Sequence, residues 1–243
     1  MKICVIENNL AGFLTAVYHS YYGHKDIDFI TSDYNQATML DTVIEPQTDT
    51  ALARKVRDGI IKKVGKSHYN LIYTAYLSCD KQKEQKLFEY LQLLFKEGKN
   101  ILSMFAVPSV IAFNDMVKKV KHEAHRMHGF LRFKEMENEI YYGYFGSDND
   151  ILELILPHFE KRFNDQQFVI HDINRKKMAY YDGTKTHFSL APETVNITIS
   201  DKEVLFSELW REYNKNVAID NRKNLKLQNQ YAPKKYRWFM NEF

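Results

Sequence analysis

His122-Glu123-Ala124-His125 places two imidazoles and a carboxylate within one helical turn, and His128 adds a third imidazole. A zinc-protease helix needs His-Glu-x-x-His, because residues four apart share a face and can meet one ion. This run is one residue short, and His128 falls on a different face from His122, so no metal is expected. Acid–base chemistry remains. Its candidate catalytic groups are Glu123, His125, His158 and Asp172. His171-Asp172 stands with Arg175 at a strand end, where it reads either as an acid–base pair or as a salt-bridged turn.

A second set of residues suits a phosphate backbone and unstacked bases. Gly129-Phe130-Leu131-Arg132-Phe133 reads as a strand after a basic helix that includes Arg126. Strand side chains alternate, so Phe130 and Arg132 would share one face as a stacking and phosphate-binding platform. The competing reading is an ordinary sheet with Leu131 and Phe133 inward. His158 and Arg162 lie four apart on a helix, hence side by side, either for phosphate or as the polar edge of a core made by Phe159 and Phe163. The C-terminal tract interleaves bases and aromatics from Trp210 to Trp238, including Arg222, Asn224 and Pro233-Lys234-Lys235-Tyr236-Arg237-Trp238. It reads as a nucleic-acid surface or as a solvated amphipathic helix whose aromatics cap the sheet. In the first reading Arg126, Arg132, Arg162, Arg175, Arg222, Asn224, Lys234 and Lys235 hold the backbone, while Phe130, Tyr236 or Trp238 stacks.

The chain of 243 residues carries 34 basic against 31 acidic side chains. That balance names no partner, but its distribution is uneven. Arg211 to Trp238 holds eight basic residues against two acidic, and Asn114 to Lys134 holds six against two. None of the 9 glycines gives a G-x-G pair or a phosphate-loop spacing, which removes the common nucleotide-binding fingerprints. With only Cys4 and Cys79, neither a disulfide framework nor a cysteine-held zinc or iron–sulfur site can be built, and no cofactor is expected. No apolar run is long enough for a membrane span. The opening Met1–Glu7 meets charge too early for a signal peptide. A reducing cytoplasm is the expected location.

These residues need elements to hold them. Short strands are expected at Lys2–Ile6, Asp26–Thr31 and Thr42–Glu45, and helices at Leu10–Tyr22 and, capped by Asp49, up to Gly65. Helices continue over 81–96 and 109–127. From Gly129 the pattern turns to strands: Phe130–Phe133, Ile140–Phe145, a helix capped by Asp150, then Phe168–His171, Met178–Tyr181 and His187–Leu190. Asp182-Gly183 marks a hairpin turn. The tail is helical from Lys202 to about Asn221 and again from Pro233. The fold class is therefore α+β. A small antiparallel sheet of ββαβββ order (about 129–190) has helices around it, after a mixed α/β N-terminal part. Expected domains are 1–108 and 109–243.

The sequence resembles a bacterial family of DNA metabolism or DNA repair proteins, a domain of unknown function encoded beside a radical S-adenosylmethionine protein. In some relatives a similar domain is fused to a uracil-DNA glycosylase-like domain. The residues carrying the resemblance are Gly12-Phe13-Leu14-Thr15-Ala16-Val17-Tyr18, Glu123 to Phe133, His158-Phe159 with Arg162-Phe163, and His171-Asp172 with Arg175. They continue through Leu209-Trp210, Ile219, Arg222-Lys223-Asn224, Pro233-Lys234-Lys235-Tyr236 and Glu242-Phe243. One departure is Arg237, which separates Tyr236 from Trp238 where relatives set an aromatic directly after the tyrosine. The resemblance implies a DNA-related setting and a radical S-adenosylmethionine partner that carries its own cluster. Three functions follow as expectations: a DNA-binding accessory protein of repair or modification, an enzyme acting directly on DNA as glycosylase or nuclease, or a protein-binding scaffold.

Overall fold

A computed structural model describes residues 1–23, 26–193, 195, 197–219 and 222–240. Asn221, Glu242 and Phe243, invoked above, lie outside the described residues. The chain divides into two compact units, Met1–Lys121 and His122–Phe243.

In the first unit, β1 (Lys2–Val5) is followed by α1 (Leu10–Tyr22), β2 (Phe29–Thr31), β3 (Thr42–Ile44) and α2 (Thr50–Val64). α3 (Lys66–Tyr76) and α4 (Lys83–Glu97) precede α5 (Pro108–Phe130), within which the unit boundary falls. β1 is the middle strand and pairs in parallel with both neighbours, in the order β2-β1-β3. Parallel strands cannot be joined by a tight hairpin, and α1 supplies the crossover. Capping follows the sequence. Asn9 accepts from the Gly12 amide at 2.7 Å, and Asp49 from the amides of Ala51 and Leu52. The apolar stripes of the helices close over Ile3, Cys4 and Ile30, with Phe13, Ile60, Leu91 and Phe113 fully buried.

The second unit begins within α5 and contains β4 (Phe133–Glu135), β5 (Tyr141–Phe145), α6 (Leu152–Arg162), β6 (Phe168–Asp172), β7 (Lys177–Tyr181) and β8 (Thr186–Leu190). α7 (Asp201–Val217), α8 (Leu225–Tyr231) and a 3-10 turn over Lys234–Phe239 complete it. The strand order is β4-β5-β6-β7-β8. The α+β class and the ββαβββ order are present, but the sheet is mixed: β5 and β6 run parallel, all other pairs antiparallel. The reason is the connection, since a helix rather than a hairpin joins β5 to β6. Phe145, Phe168, Ile170 and Ala179 on one sheet face bury against Leu152, Ile155 and Phe159 of α6. Phe133 sits edge-on to Phe159, Phe163 and Phe168, with ring centroids 5.1–5.6 Å apart.

Two local expectations are corrected. The segment Phe130–Phe133 is not a strand. α5 runs through Phe130, and the Leu131 amide still donates to the Met127 carbonyl at 3.1 Å, so extended backbone starts only at Phe133. Asp150 does not cap α6, whose N-cap is Ile151 without a side-chain bond. Asp150 pairs instead with Lys177.

Candidate functional site

In the second unit the loop after β5, Gly146-Ser147-Asp148-Asn149-Asp150, lies at the end of the parallel pair, the position where open sheets collect polar groups. Glu123 of α5 is buried there. Its Oε1 accepts from the Asp148 amide at 3.0 Å and from the Tyr236 hydroxyl at 2.6 Å. Its Oε2 accepts from the Asn149 amide at 2.8 Å and the Asn149 side chain at 2.6 Å. Lys235 stands 3.7 Å from Oε1, bonds Asp148 and lies over the Tyr236 ring. Burial pushes the Tyr236 hydroxyl up to about 12, with Glu123 adding to the shift. Burial lowers the Lys235 ammonium, but Asp148, Tyr236 and Glu123 together outweigh it and hold the lysine charged. The carboxylate thus ties the C-terminal turn to the β5–α6 loop, with each oxygen committed to two donors.

Asp172 is the second buried acid. It accepts from the backbone amides of Asn174 and Arg175, and Arg175 meets it at 3.0 Å. Burial raises the Asp172 carboxyl above its ordinary range against the pull of Arg175. The same guanidinium donates to the Ser147 carbonyl at 3.2 Å and to the Asp148 carbonyl. Asp172 and His171 do not form a hydrogen-bonded dyad, because neighbours on a strand face opposite ways. Asp172 shares the α6 face with Ile170, whereas His171 meets the Tyr142 hydroxyl through Nδ1 at 2.6 Å on the other face.

The remaining imidazoles collect elsewhere in the unit. His128 of α5 stacks on His158 of α6 with centroids 4.3 Å apart and planes 13° from parallel, and His125 lies 6.1 Å from His128. Neither stacked ring has a partner for its buried Nε2. Burial lowers the His128 pKa, and the neighbouring His158 and His125 lower it further. No group of three or more potential ligands capable of holding a metal exists among the described residues.

The nucleic-acid candidates divide by exposure. The Phe130–Arg132 platform is absent: Phe130 packs on Tyr236 at 5.6 Å, and Arg132 donates to the carbonyls of Gly129 and Leu131 at the end of α5. Tyr236 is 2% exposed and has no open ring face for stacking. Asn224 caps α8 by accepting from the Leu227 amide at 3.0 Å. Lys235 and Arg175 are ion-paired. Arg162 lies over Phe163 on the exposed side of α6. Arg126 is half-buried, and Arg222 and Lys234 are exposed, with no ion pair among the described residues. Trp238 is half exposed; its indole nitrogen donates to the Lys235 carbonyl, and its ring leans on Tyr144 at 5.7 Å.

Sequence reasoning missed the open face of the sheet. Tyr142 and Tyr144 of β5 and His171 of β6 point away from α6 and line a cleft of about 470 Å³ with Lys134 and Lys176. The signal was present in Tyr141-Tyr142-Gly143-Tyr144-Phe145, where alternation sends aromatics to both faces. One face alone can belong to the core under α6.

The second unit is thus an α+β domain in which Glu123 and Asp172 are held by fixed donors and whose sheet carries α6 on one face and an aromatic-lined cleft on the other. Residues 81–242 match the family described as a domain of unknown function, DUF4130, and the chain belongs to that family. No curated protein matches the chain. No single helix among the described residues is long and apolar enough to cross a membrane.

Proposed function

We propose that the protein is a DNA-binding accessory factor of DNA repair or modification, working in the cytoplasm beside a radical S-adenosylmethionine partner. The observation that carries the DNA reading is the state of the C-terminal cations. Arg211, Lys215, Arg222, Lys226 and Lys234 are all exposed and make no ion pair among the described residues. Trp210, Tyr213, Tyr231 and Trp238 are exposed among them. Unneutralised cations interleaved with solvent-facing rings suit a phosphate backbone with unstacked bases. The acid–base alternative draws less support, since Glu123 and Asp172 spend their oxygens on fixed donors. Fluorescence anisotropy of a labelled oligonucleotide over a salt series is the test. Five phosphate contacts to a single strand give a slope of log K on log salt of about −3.5. Replacing Lys226 and Lys234 by alanine should flatten it by about 1.4. Absent or salt-independent binding would sink the proposal.

A scaffold reading has its own observation. α7 buries none of its residues and exposes Leu205, Phe206, Leu209, Trp210 and Tyr213. Co-purification with the radical partner, lost on Leu209→Ser and unaccompanied by DNA affinity, would favour it.

A further inference from the structure

The sheet of the second unit has two unlike faces. α6 covers one. Over the other runs the segment that leaves β8 and ends beside β4, where Ser200 donates to the Glu135 carbonyl at 3.0 Å and Ile199 bridges Met136. Because β8 and β4 are opposite edges of the sheet, this segment crosses every strand between them. It brings Pro192, Val195 and Ile197 opposite Tyr142, Tyr144 and His171, with the 470 Å³ cleft between them. One wall is aromatic and the other aliphatic, which suits a flat ring.

The polar groups of the cleft are few and directional. Burial pushes the Tyr142 hydroxyl up to about 12, so it remains protonated, and it shares a 2.6 Å hydrogen bond with His171 Nδ1. Burial lowers the His171 pKa against the nearby Asp172, favouring neutral imidazole. With the Tyr142 hydroxyl as donor to Nδ1, the neutral ring carries its proton on Nε2. Among the described residues that Nε2 has no hydrogen-bond partner, so it offers one donor to the cleft. Lys134 and Lys176 line the cleft without an ion pair among the described residues, with Glu193 as the acid there. A fatty chain would leave the floor donor unmatched. A flat ring bearing a carbonyl acceptor matches the floor donor, and an attached phosphate matches the two lysines.

We infer that this cleft takes one unstacked nucleobase of a single DNA strand, the ring lying on Tyr144 and the flanking phosphates reaching Lys134 and Lys176. The inference rests on the DNA-binding reading and adds the strand preference: duplex bases, already stacked and paired, cannot enter. A free nucleotide has the same chemistry, and the experiment separates the two sources.

The full chain is titrated against fluorescein-labelled oligothymidylate, its hairpin duplex counterpart and thymidine monophosphate. The expected result is tighter binding of the single strand than of the duplex. Tyr144→Ala should weaken it about 5- to 150-fold, the usual range for one base–aromatic stack. Tyr144→Phe should leave affinity within about 2-fold, since stacking persists. Because Tyr144 also supports Trp238, Val195→Trp fills the cleft from the opposite wall and should weaken binding equally. Single-strand affinity that is salt-dependent but indifferent to both Tyr144→Ala and Val195→Trp overturns the cleft and leaves the DNA reading standing. Binding of the monophosphate without the oligonucleotide overturns the strand assignment. No binding of any DNA overturns both readings.

Discussion

Glu123→Gln removes a charge and almost no volume, so it tests whether the carboxylate holds the second unit together. Four donors meet its two oxygens, two on each. Glutamine keeps one oxygen. Turned toward Asn149, its NH2 group faces two N–H donors; turned the other way, it strands the Asp148 amide, while the Tyr236 hydroxyl can rotate to accept. A buried donor left unpaired costs about 1–3 kcal/mol, and the better orientation strands one, which places the loss at about 2 kcal/mol. Glu123→Ala strands more donors and should cost about 3–5 kcal/mol. Tyr236→Phe leaves the carboxylate its other three donors and should cost about 1.5–3 kcal/mol, the worth of one hydrogen bond to a charged group. Combined with Glu123→Gln, Tyr236→Phe should cost at least about 1 kcal/mol less than alone, because the pair is in direct contact. Both tryptophans of the chain, Trp210 and Trp238, belong to the second unit. Urea unfolding followed by tryptophan fluorescence therefore reads that unit directly. A Glu123→Gln protein within about 0.5 kcal/mol of the parent would refute the tie, since surface changes alone reach that size.

Two further outcomes follow from the buried titratable groups. His128 and His171 have folded pKa values below the ordinary imidazole value, so below about pH 6.5 the unfolded chain binds the more protons. Their contribution is complete above that pH and falls as pH drops through the folded values, by at most about 1.4 kcal/mol per pH unit for each group. His128→Phe should shallow the decline in urea stability between about pH 7 and pH 5; an unchanged slope counts against the stacked, desolvated pair. Burial pushes the Cys4 thiol up to about 12, while Cys79 is exposed. A disulfide reagent should therefore titrate Cys79 at once and Cys4 only as the first unit opens; simultaneous reaction would contradict the burial.

The ββαβββ order was readable because each element announces itself locally, by period-2 alternation at Met178–Tyr181 and by threes and fours from Ile151 to Phe163. The direction of β6 was also readable in principle: a helix between consecutive strands calls for a parallel pair. The Glu123–Tyr236 bond was not, since it joins residues 113 apart and no local pattern records it. Glu123 looked catalytic because a carboxylate between histidines has the right chemistry, and only the burial of both partners reveals a tie. The Phe130 platform failed for a related reason. Aromatics at one-residue spacing fit a strand, but the chain extends α5 through Phe130 and Arg132 turns back to close its carbonyls.

The parallel β5–β6 pair decides where a ligand could sit. A parallel connection puts its helix on one sheet face, so α6 takes the side of Phe145, Phe168 and Ile170. No second crossover helix follows, because β6, β7 and β8 are joined as antiparallel neighbours. Tyr142 and His171 therefore face an irregular strand crossing rather than a helix, and Tyr144 meets Trp238 of the 3-10 turn beside it. An all-antiparallel sheet of the same residues would leave α6 free to cover either face. Here the register of Tyr144 beside His171 fixes a ring and a hydrogen-bond donor next to each other on the uncovered side. The Glu123 tie brings Trp238 against the same tyrosine. Loosening that tie should therefore alter the floor of the cleft as well as stability. Glu123→Gln should weaken single-strand binding even under conditions where the second unit remains folded.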